Sequence, residues 1–337
     1  MTARRSLLAL LGVLLTAGGA AVVATADPIA APDRPAATAR AASAAAVPPP
    51  AAVPDDATAR RELASVLRRH GVSQRGRRRL VPRAEWGLFA LRREGPGVSR
   101  IGGPALLPRG TAWPVRRGRP LTFVAAIALA ELPGFPDRGL LPASGTLLFF
   151  AAMEKLWEPV SGNRPGGPLR VLHVPATTPL DRARPPKPTR PAPADASPVG
   201  MRSVPLAFRP KLTLLDSWSA RYDRRIGLGP RDSRAYDRAS LAWDRRWGVP
   251  PWPKGDGFDD ESEAQQAAAE LSMNQILGIP MTSQDDPRDR DQLSLLTAIP
   301  YTVGGDFLDA GDVSFVIARR DLRDGRWSRI TVVPSSS

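Results

Sequence analysis

"PLTFVAAIALAEL" (120–132) and "GTLLFFAAM" (145–153) decide the fold. Each is a run of aromatic, β-branched and small apolar residues bounded by Pro or Gly, long enough for a buried strand. Both return later in the chain. "LTFVAAI" (121–127) is echoed by "LSLLTAI" (293–299), and "GTLLFFAA" (145–152) by "GDVSFVIA" (311–318). "GGP" at Gly102, Gly103 and Pro104 is echoed by "GIP" at Gly278 to Pro280, and the order is kept. The pattern predicts an α+β, β-rich fold: two similar β units, an internal pseudo-repeat, sharing one core with a few flanking helices.

Working outward, "EWGLFALRR" (85–93) and "VPLAFRPKLTLL" (204–215) read as further strands. A helix should start at Asp55 or Asp56, bury Leu63, Val66 and Leu67 at helical spacing, and stop at Gly71. A second should run through "DDESEAQQAAAELSMNQILG" (259–278), capped by Asp259 or Asp260 and ended by Gly278. The Arg/Pro-rich stretch 161–200 reads as a flexible surface insertion, interrupted by the strand candidate "LRVLHV" (169–174). Residues 216–260 read as a polar, irregular segment carrying Trp218, Trp243, Trp247, Trp252, Tyr222 and Tyr236. That cluster could line a glycan or peptide groove, or plug the loops against the core.

The N-terminus carries a targeting pattern. "MTARR" is a short cationic start, residues 7–23 are mostly apolar, and Ala24-Thr25-Ala26 precedes Asp27 as a small-residue cleavage site. The expectation is a signal peptide over 1–26, with an uncleaved membrane anchor as the alternative. An Ala/Pro-rich disordered linker over 27–54 and a folded domain over 55–337 follow. An exported protein, periplasmic or extracellular, is implied.

Composition narrows the chemistry. The formal charge is +14, from 47 Lys and Arg against 33 Asp and Glu, but the basic residues are spread along the chain and interleaved with acids. The densest run, "RRHGVSQRGRRR" (68–79), has no aromatic to stack on a base, so specific nucleic-acid binding is not expected. There is no Cys, hence no disulfide or thiolate chemistry. Only His70 and His173 are present, too few for a zinc site without Cys, and neither has a triad-like neighbourhood. No phosphate loop or dinucleotide glycine pattern occurs, so no cofactor, metal or catalytic residue is expected. The acid clusters "DGFDDESE" (256–263) and "SQDDPRDRDQ" (283–292) lack the calcium-loop spacing and read as solvated turn and cap acids.

Several of these segments together resemble one family. "SRIGGPALLPRGTAWP" (99–114), with Gly102, Gly103, Pro104, Pro108, Trp113 and Pro114, is similar to the hallmark of the YwqG-like proteins, a bacterial domain family of unassigned biochemical function. "NQILGIPMTSQDDP" (274–287), with Gly278, Pro280, Gln284 and Asp285, resembles the family's second motif. "DAGDVSFVIARRDLRDGRWSRITVV" (309–333), with Asp309 and Gly311, resembles its closing segment. The sequence departs from the family where Gln is usual (Ala126 and Ala298), where His is usual (Asn274), and where Trp-Gly is usual (Phe307-Leu308). The resemblance implies a binding or interaction protein, its partner a protein or envelope polymer; the Gly- and Pro-rich stretch 102–114 reads either as a stiff corner that lays the Trp113 indole on the neighbouring sheet or as the wall of a groove drawing on Trp113, Gln284, Asp285 and Asp309. The alternative is a cell-envelope hydrolase working through Asp285 and Asp309, which would need the two carboxyls to converge.

Overall fold

The computed structural model describes residues 52–153, 156, 158–191, 201–217, 219–251, 260–282, 285–289, 291–304 and 311–336. The expected signal segment and most of the linker lie outside the described residues. So do Trp218, Trp252, Gln284, Phe307, Leu308 and Asp309.

The folded part opens with helix α1 (Asp56–Arg69). The Asp55 carboxylate accepts from Thr58 N at 2.8 Å, and Ala59, Leu63, Val66 and Leu67 form its buried stripe. The second half of the basic run forms α2 (Gln74–Leu80), where guanidinium groups satisfy backbone carbonyls. Arg77 donates to Val72 O at 2.6 Å and Arg79 to Ile226 O at 2.8 Å. Strands β1 (Glu85–Arg92), β2 (Arg100–Ile101), β3 (Ala105–Pro108), β4 (Val115–Arg116), β5 (Arg119–Pro120), β6 (Thr122–Ala128) and β7 (Thr146–Ala151) follow.

The stretch expected as a loose insertion supplies β8 (Val160–Ser161), β9 (Leu169–Val174) and β10 (Leu180–Ala183). Farther along it, Thr189 N donates to Gly118 O at 2.9 Å. Next come β11 (Val204–Thr213), α3 (Ala220–Arg225) and α4 (Pro230–Arg246), so the polar middle segment is largely helical. Helix α5 (Asp260–Ser272) stops six residues short of the expected Gly278, because Gln275–Leu277 is strand β12. The chain closes with β13 (Gln292–Ala298), β14 (Asp312–Ala318), α6 (Arg319–Arg323) and β15 (Thr331–Ser335).

Eleven strands form one antiparallel sheet in the order β8-β15-β14-β13-β12-β1-β11-β2-β6-β7-β9. Strong curling nearly closes it. Phe149 on β7 and Phe315 on β14, far apart in that order, meet edge to face with ring centroids 5.0 Å apart. At the two free edges, Asn163, just past β8, bridges to Leu169 on β9. Its side chain exchanges two hydrogen bonds with Val171 and donates a third to Trp327 O. A bridged seam leaves less exposed edge for another chain to pair with.

Strand alternation sorts the core. Leu147, Phe149 and Ala151 face the main core with Leu88, Phe315 and the buried stripes of α1 and α4. Leu148 and Phe150 face a second cluster with Phe123 and Leu107, covered by the β3–β10 ribbon and Trp113. At about 1.5–3 kcal/mol for each fully buried large apolar side chain, these two layers are the main source of stability.

Two short strands make the bends, and glycines make them possible. Beside β2, the backbone of Gly102 and Gly103 turns left-handed, with φ +65° and +74°. A Cβ at Gly102 would lie 2.4 Å from Arg202 O. Beside β12, Gly278 has φ +66°, and an added Cβ would lie 2.9 Å from Gly87 Cα on β1. The same joint is fixed by Thr213, whose hydroxyl donates to Glu85 O and accepts from Ile279 N, each at 2.7 Å. Arg288 completes it, ion-pairing with Glu85 at 2.6 Å and Asp286 at 2.8 Å and donating to Gly278 O at 3.0 Å.

Gly278→Ala should therefore destabilise the fold by about 3 kcal/mol in urea unfolding, through clash and forbidden φ together. Gly134→Ala, with ordinary φ and no heavy atom within 4 Å of the new Cβ, should stay within about 0.5 kcal/mol of the parent. Equal effects at the two positions would show that the joint is not crowded.

Candidate functional site

Two concave regions stand out, of opposite character. The first is an apolar groove of about 280 Å³ beside the Gly102–Gly103 bend, walled by Pro104, Trp113, Leu121, Phe123 and Met201. Trp113 is placed by the tight turn between β4 and β5, where Arg117 and Gly118 both take positive φ, as a two-residue hairpin requires. Its indole N–H donates to Leu121 O at 2.9 Å, and its ring meets Phe150 edge on, centroids 5.4 Å apart. The half-buried indole is thus both a stiff corner and part of the groove wall.

Cations border this groove. Arg100 lies over the Phe123 ring, 5.5 Å from its centroid, and donates to Pro104 O at 2.5 Å. Its Nε is buried without a partner. Burial, reinforced by repulsion from Arg182, holds the Arg100 pKa below its ordinary value. Arg184 lines the groove, and among the described residues neither Arg182 nor Arg184 makes an ion pair.

The second region is a polar cavity of about 60 Å³ between β11, α4 and β12. Its floor carries Lys211, Thr213, Tyr236 and Gln275, all buried. Toward its half-buried mouth stand Asp216, Ser217, Ser240 and Asp244. Lys211 pairs with Asp244 at 2.5 Å. Gln275 is 2% exposed, and its Oε1 has no hydrogen-bond partner. Burial pushes the Asp216 carboxyl up to about 6, with Lys211 pulling it partly back.

Of the residues singled out from sequence, Trp113, Gly103 and Pro104 meet in the apolar groove. Asp285 is not part of its lining; it pairs with Arg224 at 3.0 Å. Gln284 and Asp309 lie outside the described residues. Gly102 makes the bend, Pro108 ends β3, Pro114 O accepts from Leu121 N at 2.9 Å, and Gly278, Pro280 and Gly311 are buried.

Asp286 corrects the expectation of solvated acids: its side chain is 3% exposed and paired with Arg288, itself 1% exposed. The aromatic cluster also resolves. Trp243, Tyr222 and Tyr236 are core residues, the two Tyr stacked at 5.4 Å, with the Tyr236 hydroxyl donating to Leu215 O. His70 caps α1, and the His173 ring Nε2 lies 2.9 Å from Ser144 O. Asn274 clamps α5 to its surroundings: its amide donates to Leu271 O and Thr302 Oγ1 and accepts from Ile299 N at 2.7 Å.

Sequence reasoning missed the polar cavity. The available signal was Lys211, one of two cations, with Arg209, inside the otherwise apolar β11.

Residues 99–333 match a family described as a domain of unknown function, DUF1963. No curated protein matches the chain. Among the described residues no helix is long and apolar enough to cross a membrane.

The folded Asp216 pKa lies above the ordinary value of 3.8, so its ionisation works against the fold. The contribution is fully present below about pH 4 and is lost as pH rises through about 6. Asp216→Asn should flatten that part of the stability–pH curve and raise stability at pH 7 by about 1–2 kcal/mol. Urea unfolding at pH 4, 5, 6 and 7 reads this directly; parallel curves for the two proteins would refute it.

Proposed function

We propose that this chain, which belongs to the DUF1963 family of domains of unknown function, is an exported, non-catalytic binding protein of the YwqG-like type. Its ligand is an apolar, anionic segment of a partner polypeptide. The observation that carries this reading is the pairing of the groove's Trp113, Phe123 and Leu121 with the cations Arg100, Arg182 and Arg184 around it. An apolar side chain can be desolvated against the aromatic wall while a carboxylate meets the unpaired guanidinium groups. A hydrolase working through Asp285 is less well supported, since that carboxylate pairs with Arg224.

Two related β units are part of the same proposal. The β6–β7 and β13–β14 ladders each shift register once, between Phe123 and Ala125 and between Ser294 and Leu296. Each ladder is joined to the central β1–β11 pair through a short strand, β2 or β12, followed by a left-handed glycine. These correspondences support a duplicated unit. The N-terminal pattern, with Ala24-Thr25-Ala26 before Asp27, supports export with residues 1–26 removed and 27–54 as a spacer.

Titration with 8-anilinonaphthalene-1-sulfonate, an apolar anion, should give saturable one-to-one fluorescence enhancement at native pH. Arg184→Glu should weaken it about tenfold while leaving the melting temperature unchanged, since Arg184 is exposed. Absence of saturation, or an unchanged affinity in the variant, counts against the groove. Separately, mass spectrometry of the protein from its native host should place Asp27 at the N-terminus; a retained Met1 would favour the anchored form.

A further inference from the structure

The polar cavity between β11, α4 and β12 holds a combination that the fold does not explain. Its hydroxyl protons are already committed. Thr213 donates to Glu85 O, Tyr236 to Leu215 O, Ser240 to Asp237 O, and Ser217 to the Asp237 carboxylate. What remains to these groups is acceptor capacity, of which Thr213 already gives part to Ile279 N. The Gln275 amide oxygen, on a residue only 2% exposed, has no hydrogen-bond partner among the described residues. Leaving such an acceptor unmet costs roughly 1–3 kcal/mol. Asp216 adds a carboxylate to the lining with no hydrogen bond to a described residue. Lys211 is neutralised by Asp244 at 2.5 Å, so the three ionisable groups together carry an excess of one negative charge when Asp216 is ionised.

We infer that this cavity is a binding site for a primary ammonium group, seated between the Asp216 carboxylate and the Gln275 amide oxygen. An ammonium ion brings three donors and one positive charge, which matches an acceptor-rich lining with one surplus negative charge. Size sets a limit. A cavity of about 150 Å³ accepts a benzene ring, so 60 Å³ admits an aminomethyl or aminoethyl end and excludes a branched or quaternary ammonium. The half-buried mouth at Ser217, Ser240 and Met281 lets the rest of a longer amine extend outward. The ligand class is therefore a slim alkyl amine, free or at the end of a lysine-like side chain. The site is separate from the apolar groove, and no residue lines both.

The test uses ethylammonium chloride as probe and tetramethylammonium chloride as control, at equal ionic strength and pH 7.5. Saturation-transfer NMR and thermal shift are read on the purified protein. Saturable ethylammonium binding with a Kd of about 1–10 mM is expected, in the range of a small fragment, with none for tetramethylammonium. Asp216→Asn, which keeps the shape and removes the charge, should weaken binding at least about tenfold. Gln275→Leu should weaken it as well. Should that second variant fail to fold, Asp216→Asn alone decides. Binding unchanged in Asp216→Asn, equal response to the two cations, or a crystal structure in 100 mM ethylammonium with only waters in the cavity would each overturn the assignment.

Discussion

The backbone of Gly278 lies against that of Gly87 so closely that an added Cβ on either would fall 2.8–2.9 Å from the other's peptide atoms. Everything on the β13–β15 side of the sheet hangs from that contact, because β12 supplies only Gln275–Leu277 to pair with β1, and a single residue pair, Gln275 with Thr297, to β13. So short a strand cannot hold two halves of a sheet by ladder hydrogen bonds alone. The joint is reinforced from the side by Thr213, which bonds both neighbouring backbones, and by Arg288, which ties Glu85 at the start of β1 to Gly278 O at the end of β12. Leu277, a non-glycine at φ +57°, is held in a strained region by these surroundings. With the joint bent this way, the curled sheet can bring Phe149 and Phe315 together.

The bend on the opposite side of the central pair solves the same problem differently. At Gly102 and Gly103 the backbone turns against Arg202 and Ser203, with Gly102 N donating to Val124 O at 2.8 Å and Gly103 N to Met201 O at 3.1 Å. Among the described residues no buried ion pair crosses here. The space beyond the bend is instead walled by Pro104, Trp113 and Phe123, and it stays open as the apolar groove. One bend is filled by a charged hub and the other by rings, so only the second presents apolar surface to a partner.

How much of this was legible depended on whether the causing interaction was local. The apolar runs at β6, β7, β13 and β14 and the caps of α1 are local signals, and the structure places those elements close to where the pattern put them. The end of α5 was misread because Met273-Asn274-Gln275 contains no breaker. The helix stops where the Asn274 side chain turns to bond Leu271 O and Ile299 N, a tertiary event. Strand β9 was legible as the apolar run 169–174, a local signal, whereas β10 was hidden in Arg/Pro-rich sequence, since its pairing with β3 is set by partners about seventy residues away. Trp113 was legible as a site residue because its Pro-bounded, Gly-flanked setting is local. Asp216 and Gln275 were not, for nothing adjacent to either marks it as facing a cavity.

Polar groups in this core fall into two kinds, and the contrast carries the functional argument. Burial alone would lower the pKa of Arg288, but the carboxylates of Asp286 and Glu85 overturn that and hold it above its ordinary value. Every charge in that hub has a partner, and the hub closes a joint the fold needs, so its burial is accounted for by structure. Around Lys211 the accounting fails. One of two nearby carboxylates suffices to pair the ammonium, yet Asp216 is kept in the same low-dielectric space with its pKa pushed up to about 6, and Gln275 faces no donor. An apolar residue of similar size at either position would pack a core better. A fold that closes one polar cluster completely and leaves its neighbour with a surplus negative charge and an unmet amide oxygen is built, at that second place, for something that arrives from outside.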